Sequence, residues 1–259
     1  FSSSAESTME LARDPAAPPE TLAQLAAELE KAGPFDGGLI EALKTEHRIA
    51  CRVVDDLRAK QEDLPEHLGF NAKGWRAWVL KVPYSFKPNQ TKRELAAVHR
   101  QSIGNVPRMY ADIVWDDVAD KESGRRASLR PNAIGNYLFL ILMTSSEKVL
   151  EMKCRTESVW AGAKLVVACH RFARERGQFP ETLQVLVPDF LGAVPRDPYD
   201  GAPFRYAAEK GLVWAVGKNL TDEGGSTRLL GVEPATPAGR DRGRAEDFVF
   251  ELKPAEKTE

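Results

Sequence analysis

The chain has 259 residues, 42% hydrophobic and 29% charged, with a formal net charge of -2. That balance suits a globular body long enough to bury a core without disulfide or metal staples. It excludes a general attraction to nucleic acid or anionic lipid, and no apolar run reaches the roughly 18 residues of a membrane span.

The first residue is Phe1, not Met. The expectation is that an upstream segment, a signal peptide or N-terminal anchor, was removed. In chain order, Pro18-Pro19 opens an amphipathic helix carrying Leu22, Leu25, Ala26 and Leu29 at helical spacing, and Gly33-Pro34 stops it. A second helix is predicted from about Gly38 to Gln61, with Leu39, Leu43, Ile49, Val53, Val54 and Leu57 on its buried side. Pro65, Gly69 and Gly74 punctuate a looser region holding Trp75, Trp78, Tyr84 and Phe86. A third helix covers Thr91 to Ile103, and a short one follows around Tyr110 to Val118. The polar stretch from Asp120 to Pro131 reads as a linker.

Beyond it the pattern changes. From about Ala133 to Arg176 there is no proline, and glycine occurs only at 135 and 162. This predicts one long helix, bent near Gly135 or near Thr144-Ser145-Ser146, with Gly177 as its stop. Phe204-Arg205-Tyr206 and Leu212 to Val216 read as a hairpin, and Phe248 to Leu252 as a last strand after a polar, Gly-bearing loop. The fold class expected is α+β. A helical region of three to five helices over residues 1–130 precedes a long helix on a small antiparallel three-stranded sheet over 131–259.

The order of these segments is similar to that of the globular head of type II secretion major pseudopilins. Arg174-Glu175-Arg176-Gly177-Gln178-Phe179-Pro180 resembles the helix exit of that family. Pro195-Arg196-Asp197-Pro198-Tyr199-Asp200-Gly201-Ala202-Pro203-Phe204-Arg205-Tyr206 resembles its Pro-x-Asp-Pro-Trp-Gly-x-Pro-Tyr-x-Tyr segment. Trp214-Ala215-Val216-Gly217, Asp222-Glu223-Gly224-Gly225 and Asp247 follow in the same order, so the likeness covers roughly residues 147–252. The same tail, with Asn132 to Asn136 ahead of it, also resembles a broader set of bacterial envelope proteins. Some 130 mostly helical residues stand before the head, where pseudopilins have a single hydrophobic helix. The resemblance therefore implies an interaction domain rather than a pilus subunit.

It also implies calcium in the loop between the last strands. Calcium takes six to eight oxygens from carboxylates, amides and backbone carbonyls. Asn219, Asp222 and Glu223 lie within five residues, Asp247 returns at the last strand, and the resemblance adds the carbonyl of Leu220. A solvated acidic turn is the alternative reading of the same residues.

Other constellations point to structure. His47, His67, His99 and His170 are scattered, and Cys169-His170 are helix neighbours that point in different directions. The three cysteines, Cys51, Cys154 and Cys169, read as buried free thiols. Asp116-Asp117 beside Trp115 reads as a helix end. Arg125, Arg126 and Arg130, like Arg240, Arg242 and Arg244, read as solvated surface. No nucleophile elbow or phosphate loop is present.

The function expected is a non-enzymatic structural or protein-interaction domain, periplasmic or otherwise outside the cytoplasm. Its expected partners are other envelope proteins and not nucleic acid, and it would meet the membrane only through a missing anchor. The alternatives are an enzyme with a cleft between the two regions, or a carbohydrate- or peptide-binding module using Trp75, Trp78 and Tyr84.

Overall fold

The structure, a computed structural model, describes residues 2–31, 33, 35–59, 86–114, 132–142, 146–227 and 247–252. Among these residues it is α+β, as expected. The helices are α1 (Ser2–Arg13), α2 (Pro19–Lys31), α3 (Asp36–Ala59), α4 (Pro88–Asn105), α5 (Ala133–Leu142) and α6 (Ser146–Arg176). The strands are β1 (Arg205–Ala207), β2 (Leu212–Val216) and β3 (Asp247–Glu251), in one antiparallel sheet of order β1-β2-β3. Among the described residues no helix is long and apolar enough to cross a membrane.

The chain divides into two compact units that do not follow chain order. One, the head unit, comprises residues 1–35, 109–113 and 150–259, and the other, the helical unit, comprises 36–108 and 114–149. The first two helices therefore belong with the C-terminal head. Ala5, Met9 and Ala12 of α1 and Leu22 and Leu29 of α2 join Ala163, Val166 and Val167 of α6 in one apolar core. A narrow stripe of small residues thus buries α1, which the sequence pattern did not mark as a helix. Arg13 Nε donates to Glu251 O at 2.9 Å, and Arg174 donates to the carbonyls of Asp14 and Ala17. The N-terminal segment is pinned to both α6 and β3.

The sheet lies on α6 through β3. Val213 and Ala215 face the same side as their register partners Phe250 and Phe248, and all four are buried in that core. Full burial of such a side chain stabilises by about 1.5–3 kcal/mol. The approach is close enough to demand glycine. A Cβ on Gly162 would stand 2.5 Å from the Phe250 ring.

The helical unit is organised around Asn132. This residue is fully buried, with a left-handed φ of 72° that asparagine tolerates better than most residues. Its Oδ1 accepts from Lys87 N–H at 2.6 Å, and its Nδ2 donates to Thr91 Oγ1 at 3.1 Å. It thereby ties the start of α5 to the first turn of α4, which Pro88 opens. Beside it, a Cβ on Gly135 would collide with Thr91 and Asn132. Ala50, Val54, Leu95, Ile134 and Leu138 form the apolar core of this unit.

Several expected elements extend further or break. The third predicted helix runs from Pro88 rather than Thr91, because proline is favoured in a first turn. The segment around Tyr110 is a single 3-10 turn, Tyr110–Asp112. The expected long helix is described as α5 and α6, and the expected bend at Thr144-Ser145 falls on residues outside those described. Trp75, Trp78 and Tyr84, the Asp116-Asp117 pair, His67 and the two arginine runs lie outside the described residues. Phe86 is buried in the helical unit's core. All three cysteines are free, with Cys154 and Cys169 buried and Cys51 only half-buried.

Candidate functional site

The polar chemistry of the head gathers where the Asp197–Gly201 turn, the strands and the 217–225 loop meet. Asp197 is fully buried and bonded on both oxygens. Its Oδ1 accepts from Tyr199 N–H at 2.8 Å, closing the turn locally. Its Oδ2 accepts from Val216 N–H at 2.7 Å and from Arg205 Nη1 at 2.6 Å, which fixes the turn to the end of β2. Burial pushes the Asp197 carboxyl up to about 6, against the opposing pull of the Tyr199 and Val216 amides and of Arg205. The carboxylate is thus still ionised at neutral pH. Gly201 completes the turn with φ of 76°, its N–H donating to Asp197 O at 2.8 Å, and its open Cα accommodates the sulfur of Met109.

Arg205 gathers three carboxylates. Besides Asp197 it meets Asp200 through Nη2, and its Nε lies 3.5 Å from Asp222 Oδ2. The register explains this. Arg205 pairs with Trp214 across the β1–β2 ladder, so both side chains share a sheet face. Asp222 lies over that face, accepting from Trp214 Nε1 at 2.9 Å and from Gly224 N–H at 3.0 Å. After burial, which raises it, these bonds and Arg205 hold the Asp222 carboxyl below its usual range.

The five expected calcium ligands all fall in or beside this loop. Asn219 Nδ2 donates to Glu223 Oε1 at 2.8 Å, and its Oδ1 accepts from Thr221 N–H at 3.3 Å. Leu220 sits in the left-handed region, φ 58°, which is strained for a leucine and turns the loop sharply. Asp247 opens β3 opposite Val216. Its Oδ2 accepts from the N–H groups of Gly225 and Ser226, both at 2.9 Å. Its Oδ1 is buried and has no hydrogen-bond partner among the described residues. Burial raises the Asp247 carboxyl, opposed by those amides.

The donor chemistry is thus that of a hard cation, with one oxygen uncommitted. The arrangement is not a preformed cluster. Among the described residues no three His, Cys, Asp or Glu side chains stand together as a metal site. Asp222 is turned toward Trp214 and Arg205, so ligation would draw it from Arg205. The role of Arg205 was not legible from spacing alone. The signal available was an arginine eight residues after Asp197, inside a run of turn-forming residues, but only the strand register brings it to Asp222.

Compared with family models, curated proteins and solved structures, the chain matches none.

Proposed function

We propose that this chain is a non-enzymatic structural or protein-interaction domain of a bacterial envelope protein, related to the heads of type II secretion pseudopilins. The observation that carries the reading is the head itself. A long helix leads through a 3-10 turn and an Asp-Pro-Tyr-Asp-Gly turn into a three-stranded antiparallel sheet that lies back on the helix. This is the element order of the segment on which the sequence resemblance rests. The polar groups of the head also read as scaffold, because Asp197, Asp200, Asp222 and Arg205 spend their bonding capacity on one another and on backbone amides.

Contact with other envelope proteins runs through the helical region in this reading, where Ile49 of α3, expected on the buried side of its helix, is instead 56% exposed and Ile141 of α5 is 57% exposed. The address is periplasmic or otherwise extracytoplasmic. Fractionation of the native protein tests it: recovery with envelope fractions is expected, and recovery wholly in the cytosol contradicts it.

Calcium braces the 217–225 loop in this reading, held by Asp247, Asp222, Glu223, Asn219 and the Leu220 carbonyl. A ligand that binds only the folded state raises the melting temperature. Melting with calcium against chelator is therefore expected to show a shift that Asp247→Asn removes. No shift in the unmodified chain overturns the brace.

A further inference from the structure

A second cluster lies in the helical unit, on the paired faces of α3 and α4. A cavity of about 410 Å³ opens there. Its charged walls are Lys44 and Arg48 from α3 and Arg100 from α4, with Glu41 as the single carboxylate. Three cations against one anion leave a formal surplus of two positive charges with both imidazoles neutral. Glu41 is spent on Lys44, 2.7 Å away, which together with its hydrogen bond holds its carboxyl below the usual range. Among the described residues Arg48 donates to Thr45 Oγ1 and to Lys44 O on its own helix. Neither Arg48 nor Arg100 has a carboxylate partner among the described residues.

The floor carries two histidines. The rings of His47 and His99 lie 5.0 Å apart. His99 is 6% exposed and is oriented by the Leu95 carbonyl, 2.9 Å from its Nδ1. A carbonyl only accepts, so that nitrogen carries the proton. His47 Nε2 is 3.6 Å from the Cys51 sulfur. His47 is held below its ordinary value first by burial and then by His99 and Arg100. Burial likewise raises the Cys51 thiol, which therefore stays protonated and is a poor nucleophile or metal ligand. A cation brought here would meet Arg48, Arg100 and Lys44, whereas an anion would relieve the crowding of positive charge.

We infer that the α3–α4 cavity binds a phosphate group, recognised by Arg48 and Arg100 with His47 and His99 beneath it. Two guanidinium forks suit a doubly charged oxyanion better than a single carboxylate. The surplus of two charges matches a phosphate monoester dianion. Ala96 and Ile103 line the remainder of the cavity and leave apolar room for the esterified group. Binding couples to protonation of His47. The titratable and charged groups around it are Glu41, Lys44, Arg48 and Cys51 on α3 and His99 and Arg100 on α4, and α5 carries no carboxylate or cationic side chain. A bound dianion favours imidazolium, so phosphate raises the His47 titration toward its ordinary value.

The test is a titration of the whole chain with inorganic phosphate at fixed ionic strength, followed by imidazole NMR signals, with chloride as control. Saturable shifts of both His47 and His99 are expected, and Arg100→Gln weakens binding about tenfold. Arg100 is exposed, so that variant keeps the unmodified melting temperature. Arg48→Gln repeats the loss independently, and Lys31→Gln, an exposed lysine on α2, leaves binding unchanged. Shifts that grow linearly and equally with chloride, or undiminished binding in both arginine variants, overturn the site. Phosphatidylcholine vesicles with and without phosphatidic acid separate the sources. Retention on phosphatidic acid that free phosphate displaces assigns a lipid headgroup. Saturable phosphate binding without retention assigns a soluble phosphate ester.

Discussion

The two units of the chain are held together on different length scales. In the head unit, hydrogen bonds join residues at opposite ends of the sequence: Arg13 reaches Glu251 across 238 positions, and Arg174 reaches Asp14 across 160. Among the described residues of the helical unit, the side-chain link from Asn132 to Lys87 spans 45. The head also buries ionised groups, whereas the helical unit uses an amide clip and apolar packing between helices. Long links and buried charge make the head expensive to damage, because each lost partner strands others in a dry interior. The helical unit is expected to respond more mildly.

Substitutions can break that contrast. Asp197→Ala is expected to cost about 3–5 kcal/mol, since it leaves the Val216 and Tyr199 amides without their acceptor and takes one of the three carboxylates from Arg205. Denaturant unfolding measures it, and a cost under about 1 kcal/mol would place the head's stability elsewhere. Gly162→Ala comes next, at about 1–3 kcal/mol of destabilisation, because the new methyl meets the Phe250 ring. Asn132→Ala in the helical unit should cost about 1–3 kcal/mol, and hydrogen exchange should quicken in the first turn of α4, where Lys87 N–H loses its acceptor.

The smallest of these effects reverses sign. Gly104 is exposed in the last turn of α4, and a Cβ there meets nothing within 4 Å. Gly104→Ala should therefore stabilise by up to about 1 kcal/mol. One substitution type thus gives opposite outcomes in the two units, decided by whether a neighbour occupies the methyl's place.

Acid sharpens the comparison within the head. His170 donates from Nε2 to Leu252 O at 2.8 Å, and burial, with Arg13 and Arg174 adding, keeps it below its ordinary value of 6.5. The unfolded chain then takes up this proton at higher pH than the fold does. The stabilisation is complete above about 6.5 and is lost as pH falls through the folded value. Melting temperature measured from about pH 7.5 to about 5.5 should fall more steeply in the unmodified chain than in His170→Gln. Parallel curves would show that the imidazole carries no such linkage.

Much of the fold was legible because its signals are local. Pro19 and Gly177 mark helix ends, and the turn residues from Asp197 to Gly201 announce the approach to the hairpin. Strands β2 and β3 fell close to their expected limits. Helix α1 was not legible, since Ala5, Met9 and Ala12 give too thin an apolar stripe to stand out, and it is the shared core of the head that buries them. The clip at Asn132 depends on a backbone conformation that spacing does not encode. The candidate loop residues were found from composition and resemblance, but Arg205 and Trp214 enter only through strand register. The His47–His99 pair escaped notice for a similar reason. The two lie 52 positions apart, and only the pairing of α3 with α4 brings their rings together.

The proposal is an envelope interaction domain that meets its partners through the helical region. It is tested most directly by a photo-reactive side chain at Ile49 or Ile141 in living cells, with exposed Glu209 of the head as the control position. The account predicts adducts with one or a few envelope proteins from the helical positions, not from Glu209, and lost when Ile49→Glu or Ile141→Glu is placed beside the probe. Adducts with cytosolic proteins alone, or none above the Glu209 background, would contradict it.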